Sequence, residues 1–147
     1  MHKSAEALAI IADFAAIARS HVARDRNHNV LYMPRPEVGT RLAKELAKLA
    51  VSLAIIRKSD CGEAEMQTVT RVAEDCLPPN RLAILRCLRR AGKPLTSGEI
   101  SRETGLPCAT ADRTLEDLKV LGILSNEDRW ELHQNWAERL QWVKILE

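Results

Sequence analysis

Residues 94–132 read PLTSGEISRETGLPCATADRTLEDLKVLGILSNEDRWEL, and local signals in this stretch are enough to build a fold. Thr96 and Glu99 stand at T-x-x-E spacing, at which a threonine hydroxyl and a glutamate carboxylate satisfy opposite orphan amides of a helix start. A short helix is therefore predicted from Ser97. Gly105 ends it by supplying a left-handed turn, and Pro107 suits the first turn of the next helix. In that second helix Ala111, Leu115, Leu118 and Leu121 share one stripe, opposite Cys108, Ala109, Arg113 and Glu116. Gly122 stops the helix, Ile123 and Leu124 start a short strand, and Ser125 to Asp128 turn the chain. Trp130 and Leu132 then alternate with charged residues on the returning strand. This order of elements is a winged helix-turn-helix with a small β wing.

Outward from this stretch the pattern is mainly helical. Upstream, Asn80 to Ala91 is the first helix of the winged domain, with Leu82, Leu85 and Leu88 inward and Gly92 as its stop. Pro78 and Pro79 mark a boundary, because the residue before a proline avoids the helical region while proline is tolerated in a helix's first turn. Three helices are predicted before that boundary. The first runs from Ser4 to about Arg24 and is apolar over more than half its circumference. Such a helix is either the centre of a core or an interface with a second copy or a missing domain. A connector follows from Arg24 to Pro36, in which Val30 to Met33 is compatible with extended chain. The second helix begins near Glu37 or Thr40 and reaches Lys58, burying Leu42, Leu46, Leu49, Leu53 and Ile56, and the third spans Gly62 to Leu77. Beyond the wing, His133 to Leu146 resumes a helical stripe of Trp136, Leu140, Val143 and Leu146, which can fold back on the winged domain or pair with the first helix. The expected division is a helical segment at 1–77, a winged-helix domain at 78–132 and a C-terminal helix at 133–147.

Composition sets limits on function. The 147 residues suffice for one ordinary domain or two small ones, and with 46% hydrophobic but only 3% aromatic residues the core is built of Ala, Leu, Ile and Val. With 22 basic and 20 acidic side chains the net charge is +2, so any attraction to nucleic acid must be local. Cys61, Cys76, Cys87 and Cys108 are scattered without a C-x-x-C pair, which argues for reduced thiols and against a zinc site. The apolar run from Ala5 to Ala18 is too short and too charged to span a bilayer or serve as a signal peptide, so a cytoplasmic location without membrane attachment is expected. No catalytic constellation, metal set or cofactor motif is visible.

DNA binding by a winged helix needs a slim recognition helix, donors for base edges, and cations or amides for phosphates. The small residues Cys108, Ala109 and Thr110 open the recognition helix. Arg113 and Thr114 are candidates for base or phosphate contact, arginine being able to pair bidentately with guanine. Ser97 and the amides beside it are a candidate phosphate grip, and Arg129 a candidate on the wing. Arg86, Arg89, Arg90 and Lys93 form the densest basic cluster, with Arg89 and Arg90 as candidate phosphate contacts; the same cations would also complement the helix dipole. Against this, the recognition helix sets Arg113 and Lys119 against Asp112, Glu116 and Asp117, and residues 78–132 hold nine basic and eight acidic side chains. Such a face is a weak phosphate surface by itself. Double-stranded DNA is the expected partner, and a homodimer through the terminal helices would let two modules share the work.

Residues 94–132 are similar to the winged helix of MarR-type and ArsR-type bacterial regulators, with the capping box, the G-L-P turn and the closing L-x-x-L-G-I-L in the same order. No cysteine pair sits where an ArsR-type metal sensor would carry one. The upstream stretch HVARDRNHNVLYMPRPEVGTRLAKELAKLAVSLAIIRKSDCGEAEMQTVTRVAEDCLPPNR, residues 21–81, resembles the helical lid that precedes a winged helix in minichromosome-maintenance-like AAA+ ATPases. That resemblance implies an ATPase core as partner and gives Arg41, in G-T-R-L, the place of the sensor-2 arginine that reaches a nucleotide's phosphates. The chain has no G-x-x-x-x-G-K-[ST] loop, so it does not hydrolyse ATP alone. Two functions follow as expectations: a non-enzymatic DNA-binding module of regulator type, or the terminal part of such an ATPase, against a protein-interaction or lid module that couples an ATPase to partners without touching DNA.

Overall fold

Helix α1 (His2–Ala18) carries a single charged residue, Asp13, from Ile11 onward, and a helix so largely apolar must be mostly surrounded. In the computed structural model, which describes residues 2–147, it is. Ile11, Ala12, Phe14, Ala15, Ala16 and Ala18 are all buried, beneath α2 (Thr40–Arg57), α3 (Glu63–Asp75) and α7 (Gln134–Leu140). The expectation of a central core helix therefore holds. Among the described side chains, the exposed remainder of α1 is Ala5, Glu6 and Ala9 in its N-terminal half.

α1 stops at Ala18, short of the predicted Arg24, because its last carbonyls find partners outside the helix. The buried Arg81 guanidinium donates to the carbonyl oxygens of Ala18 at 2.8 Å and Ser20 at 2.7 Å, filling acceptors that a helix end leaves open. The freed chain then folds into a small hairpin. Arg24 and Val30 form an antiparallel bridge, and the Asp25 carboxylate accepts the Asn27 and Asn29 amides at 2.8 and 2.9 Å. His28 takes the left-handed conformation at the turn, with φ of 66°. What the sequence presents as an irregular connector is thus an ordered turn, of the kind in which an Asx side chain replaces backbone bonding.

Helix α2 crosses α1 at Gly39, where the two backbones nearly touch. A Cβ on Gly39 would lie 2.7 Å from the Asp13 Cα and 2.8 Å from its nitrogen. Gly39→Ala should therefore lower stability by about 2 kcal/mol, the scale of overpacking in a closed core, measured as a drop in the denaturation midpoint. A wild-type midpoint would mean that the helices can separate freely there. The close crossing also resets the buried face of α2. Leu42 and Leu46 are inward as predicted, but the stripe continues through Ala50 and Ala54, leaving Leu49 and Leu53 half-buried and Ile56 76% exposed. Small residues let the helices approach, so the larger ones rotate outward.

α4 (Pro79–Ala91), α5 (Ser97–Thr104) and α6 (Cys108–Val120) form the three-helix unit of the winged domain. Strand β1 (Leu124–Asn126) pairs antiparallel with β2 (Trp130–Leu132), and Trp130 bridges back to Leu95, so the wing is bonded to the turn before α5. Gly92, Gly105 and Gly122 all have positive φ, as the stop signals require. One hydrophobic cluster runs from α1 through this unit to the C-terminal segment. The chain is mainly α, a winged helix-turn-helix with a β wing, preceded by three helices and followed by one.

The terminal helix is shorter than its stripe suggests. α7 ends at Leu140, and Val143, Ile145 and Leu146 are buried from non-helical chain. The Leu146 amide donates to the buried Glu74 carboxylate, which also receives Arg86. This bond, with Leu146 at φ of 68°, fixes the strap against α3 where a continued helix would carry it away. The two predicted destinations of this segment are both used: Trp136 meets Phe14 of α1 edge to face at 5.3 Å, and the Leu140 carbonyl accepts Arg89 of α4.

Candidate nucleic-acid interface

The helix pair α5–α6 is assembled by the residues that announce it. The Thr96 hydroxyl accepts the Glu99 amide at 3.2 Å, and the Thr96 amide donates to the Glu99 carboxylate at 2.7 Å. The Thr96 amide, and after it the Thr96 hydroxyl, which donates to the same carboxylate at 3.0 Å, hold the Glu99 carboxyl below the usual carboxylate range. Between the helices, Ser101 donates to the Leu106 carbonyl at 2.7 Å and lies 3.4 Å from the Cys108 sulfur. Ala111, Leu115 and Leu118 point inward, while Cys108, Ala109, Asp112, Arg113 and Glu116 are exposed and Thr110 is half-buried. α6 thus presents a small-residue start and one arginine.

Two of the residues expected to touch DNA are engaged within the fold. Thr114 is 7% exposed and its hydroxyl donates to the Thr110 carbonyl, so it belongs to the inner face of α6. Arg89 is half-buried and donates to the Leu140 carbonyl at 2.9 Å, so it fastens α7 to α4. Arg86, its neighbour in the basic cluster, is paired with Glu74. Arg90 and Lys93 of that cluster remain exposed. Ser97 is half-buried at the start of α5, but the Glu99 carboxylate beside it supplies the negative charge that a phosphate would bring. Arg129 reaches from the wing to the same carboxylate at 3.3 Å, an exposed pair that salt or a phosphate can displace.

The acidic side of α6 is where the structure departs most from the charge count. Arg24 contacts the Asp117 carboxylate through Nε at 3.0 Å and Nη2 at 2.6 Å, and Glu116 through Nη1 at 2.7 Å. Its Nη2 also donates to the Arg113 carbonyl at 3.2 Å. Arg81 meets Asp117 from the other side at 3.2 Å. Of the three acids on α6 only Asp112 is without an ion pair among the described residues, while Arg113 and Lys119 are exposed and unpaired. Sequence reasoning missed Arg24 and Arg81 because nothing local links them to α6.

This geometry is a helix-turn-helix in which two of the three acids on the second helix are paired with arginines from other elements. Residues 80–128 match the family model of the IclR helix-turn-helix domain. The match covers less than half of the chain and so describes the winged-helix region alone. No curated protein and no solved structure matches the chain. The stretch that resembles an ATPase lid lies almost wholly before the matched residues, and Arg41 is exposed in the first turn of α2, where its charge acts on Glu37. Among the described residues, no group of three or more His, Cys, Asp and Glu side chains is placed to hold a metal ion, and no helix is long and apolar enough to cross a membrane.

Proposed function

We propose that the chain is a non-enzymatic module that binds double-stranded DNA in the manner of a transcriptional regulator, working in the cytoplasm with α6 in the major groove. The observation that carries this reading is the neutralisation of Glu116 and Asp117 by Arg24 and Arg81, which leaves Arg113 and Lys119 opposed only by Asp112 on the helix. The match to the IclR helix-turn-helix domain supports it, since this motif places its second helix in the major groove with its N-terminal residues at base edges. Cys108, Ala109 and Thr110 would lie nearest the bases, Arg113 would supply the base-edge donor, and Arg90 and Arg129 would hold phosphates. The helical segment before Pro78 and the chain after Leu132 act with the winged domain as one unit, because all three share a core.

The competing reading, a lid or interaction module, would have Arg41 reach a nucleotide held by an ATPase core. DNA is favoured because the compensated charges lie on α6, whereas Arg41 sits on a different helix beside Glu37. Titration with duplex DNA at two salt concentrations separates these readings. Binding is expected at low salt and should weaken as salt rises, through release of counterions from neutralised phosphates. Arg113→Ala should reduce affinity about tenfold for a preferred sequence while leaving nonspecific binding nearly unchanged, the signature of a base contact. No binding at low salt, or an affinity indifferent to salt, would overturn the assignment.

A further inference from the structure

The hairpin at residues 24–30 sits against α6, and beyond the contacts of Arg24 its turn makes no bond to the helix-turn-helix among the described residues. We propose that it is a second DNA-contacting element, in which Arg26 grips a backbone phosphate on the ridge beside the groove that α6 enters; this rests on the DNA-binding reading above.

The placement follows from Arg24. Its guanidinium bonds Asp117, Glu116 and the Arg113 carbonyl, all on α6, and also the carbonyl of His28 across the turn. One side chain therefore fixes the hairpin both internally and against the recognition helix. Glu116 and Arg113 belong to the exposed side of α6, so the root of the hairpin lies at the edge of the face that would meet DNA. A helix with its side chains is about 10–12 Å across and the major groove about 12 Å wide, so the helix fills the groove. An element fastened to the flank of that helix must lie over a phosphate ridge.

The charges of the hairpin suit that position. Arg24 is consumed by its contacts with α6. The Asp25 carboxylate is turned onto the Asn27 and Asn29 amides of the turn, partly exposed and still charged, so its charge is tied to the backbone rather than to the Arg26 side chain. Arg26 is exposed and makes no ion pair among the described residues, and Asn27, His28 and Asn29 beside it are exposed hydrogen-bonding groups. Arg26 follows Arg24 by two residues, a span of about 7 Å at most, which an arginine side chain easily extends to a phosphate. A structural purpose for Arg26 is not needed, since the turn is closed by Asp25 and held by Arg24.

The test uses the full chain, with a long duplex and a range of salt concentrations. Arg26→Ala should weaken binding about threefold to tenfold for every sequence, and lower the slope of log affinity against log salt by about 0.9, the loss of one phosphate contact. Arg26→Glu should weaken it further. Unchanged thermal denaturation of both variants would show that the fold is intact, as expected for an exposed residue. If the wild-type protein binds and Arg26→Ala matches it in affinity and salt slope, the hairpin is not a contact, though the recognition-helix assignment stands. If Arg26→Ala weakens only a preferred sequence, Arg26 reads bases and the phosphate assignment is overturned. If the wild-type protein does not bind DNA at low salt, the parent reading itself has failed.

Discussion

Phe14→Ala is expected to lower the free energy of unfolding by about 3–5 kcal/mol, the range for removing a fully buried phenylalanine from a core that cannot collapse around the gap. Phe14 is completely buried in the middle of α1, and its ring meets Trp136 edge to face at 5.3 Å with planes at 70°. That contact adds about 0.5–1.5 kcal/mol beyond burial alone and ties the first helix to the last. Arg139 lies 4.5 Å over the Trp136 ring and is paired with Asp13, the residue next to Phe14, so the loss would spread to neighbouring contacts. Since domains of this size are stable by only about 5–15 kcal/mol, the variant should be partly unfolded at modest denaturant. Phe14→Leu, which keeps most of the volume, should be far milder. Denaturant curves followed by tryptophan fluorescence and by helical circular dichroism should coincide and shift together. A loss below about 1 kcal/mol, or a winged domain that still unfolds at the wild-type midpoint, would show that the shared core is not a cooperative unit.

The winged domain was legible because its determinants are local. Thr96 with Glu99, Gly105, Gly122 and the stripe from Ala111 to Leu121 act within a few residues of themselves, and each is placed as its spacing requires. The first helix was half legible: its apolar circumference demands surroundings, but which surroundings depends on α7 and α3. Misjudged elements share a distant cause. α1 stops at Ala18 because of Arg81, the chain after Leu140 leaves the helix to satisfy Glu74, and α2 turns its alanines inward because Gly39 brings it onto Asp13. Periodicity cannot report a partner on another element.

The same limit explains the site. Arg89 and Arg113 look alike in the sequence as exposed cations on helices, yet one is spent on the Leu140 carbonyl and the other has no side-chain partner among the described residues. Thr114 looked polar and therefore outward, but its hydroxyl is satisfied by the preceding turn, which lets a threonine occupy an inner position. The charges of α6 are legible in its own sequence, but the arginines that compensate two of them stand on other elements.

Asp117→Ala is expected to destabilise the protein by about 3 kcal/mol. Asp117 receives Arg24 and Arg81 together, and Arg81 is only 7% exposed. Removing one partner of a buried pair typically costs 3–5 kcal/mol, because the other charge is left without compensation. The lower end applies here, since Arg81 keeps its bonds to the carbonyls of Ala18 and Ser20 and Asp117 is itself partly solvated. Arg81 would then lose its carboxylate while Arg24 kept only Glu116, at the joint where the end of α1, the hairpin and α6 meet. Arg24→Ala should be milder, because Asp117 retains Arg81 and the losses of Arg24 fall on a more accessible surface. A double-mutant cycle between positions 24 and 117 isolates their coupling, which should be favourable and should shrink only modestly in salt, as expected for a partly buried pair. If Arg24→Ala proved the more damaging of the two, the hairpin rather than the buried Arg81 would be what holds α6 in place.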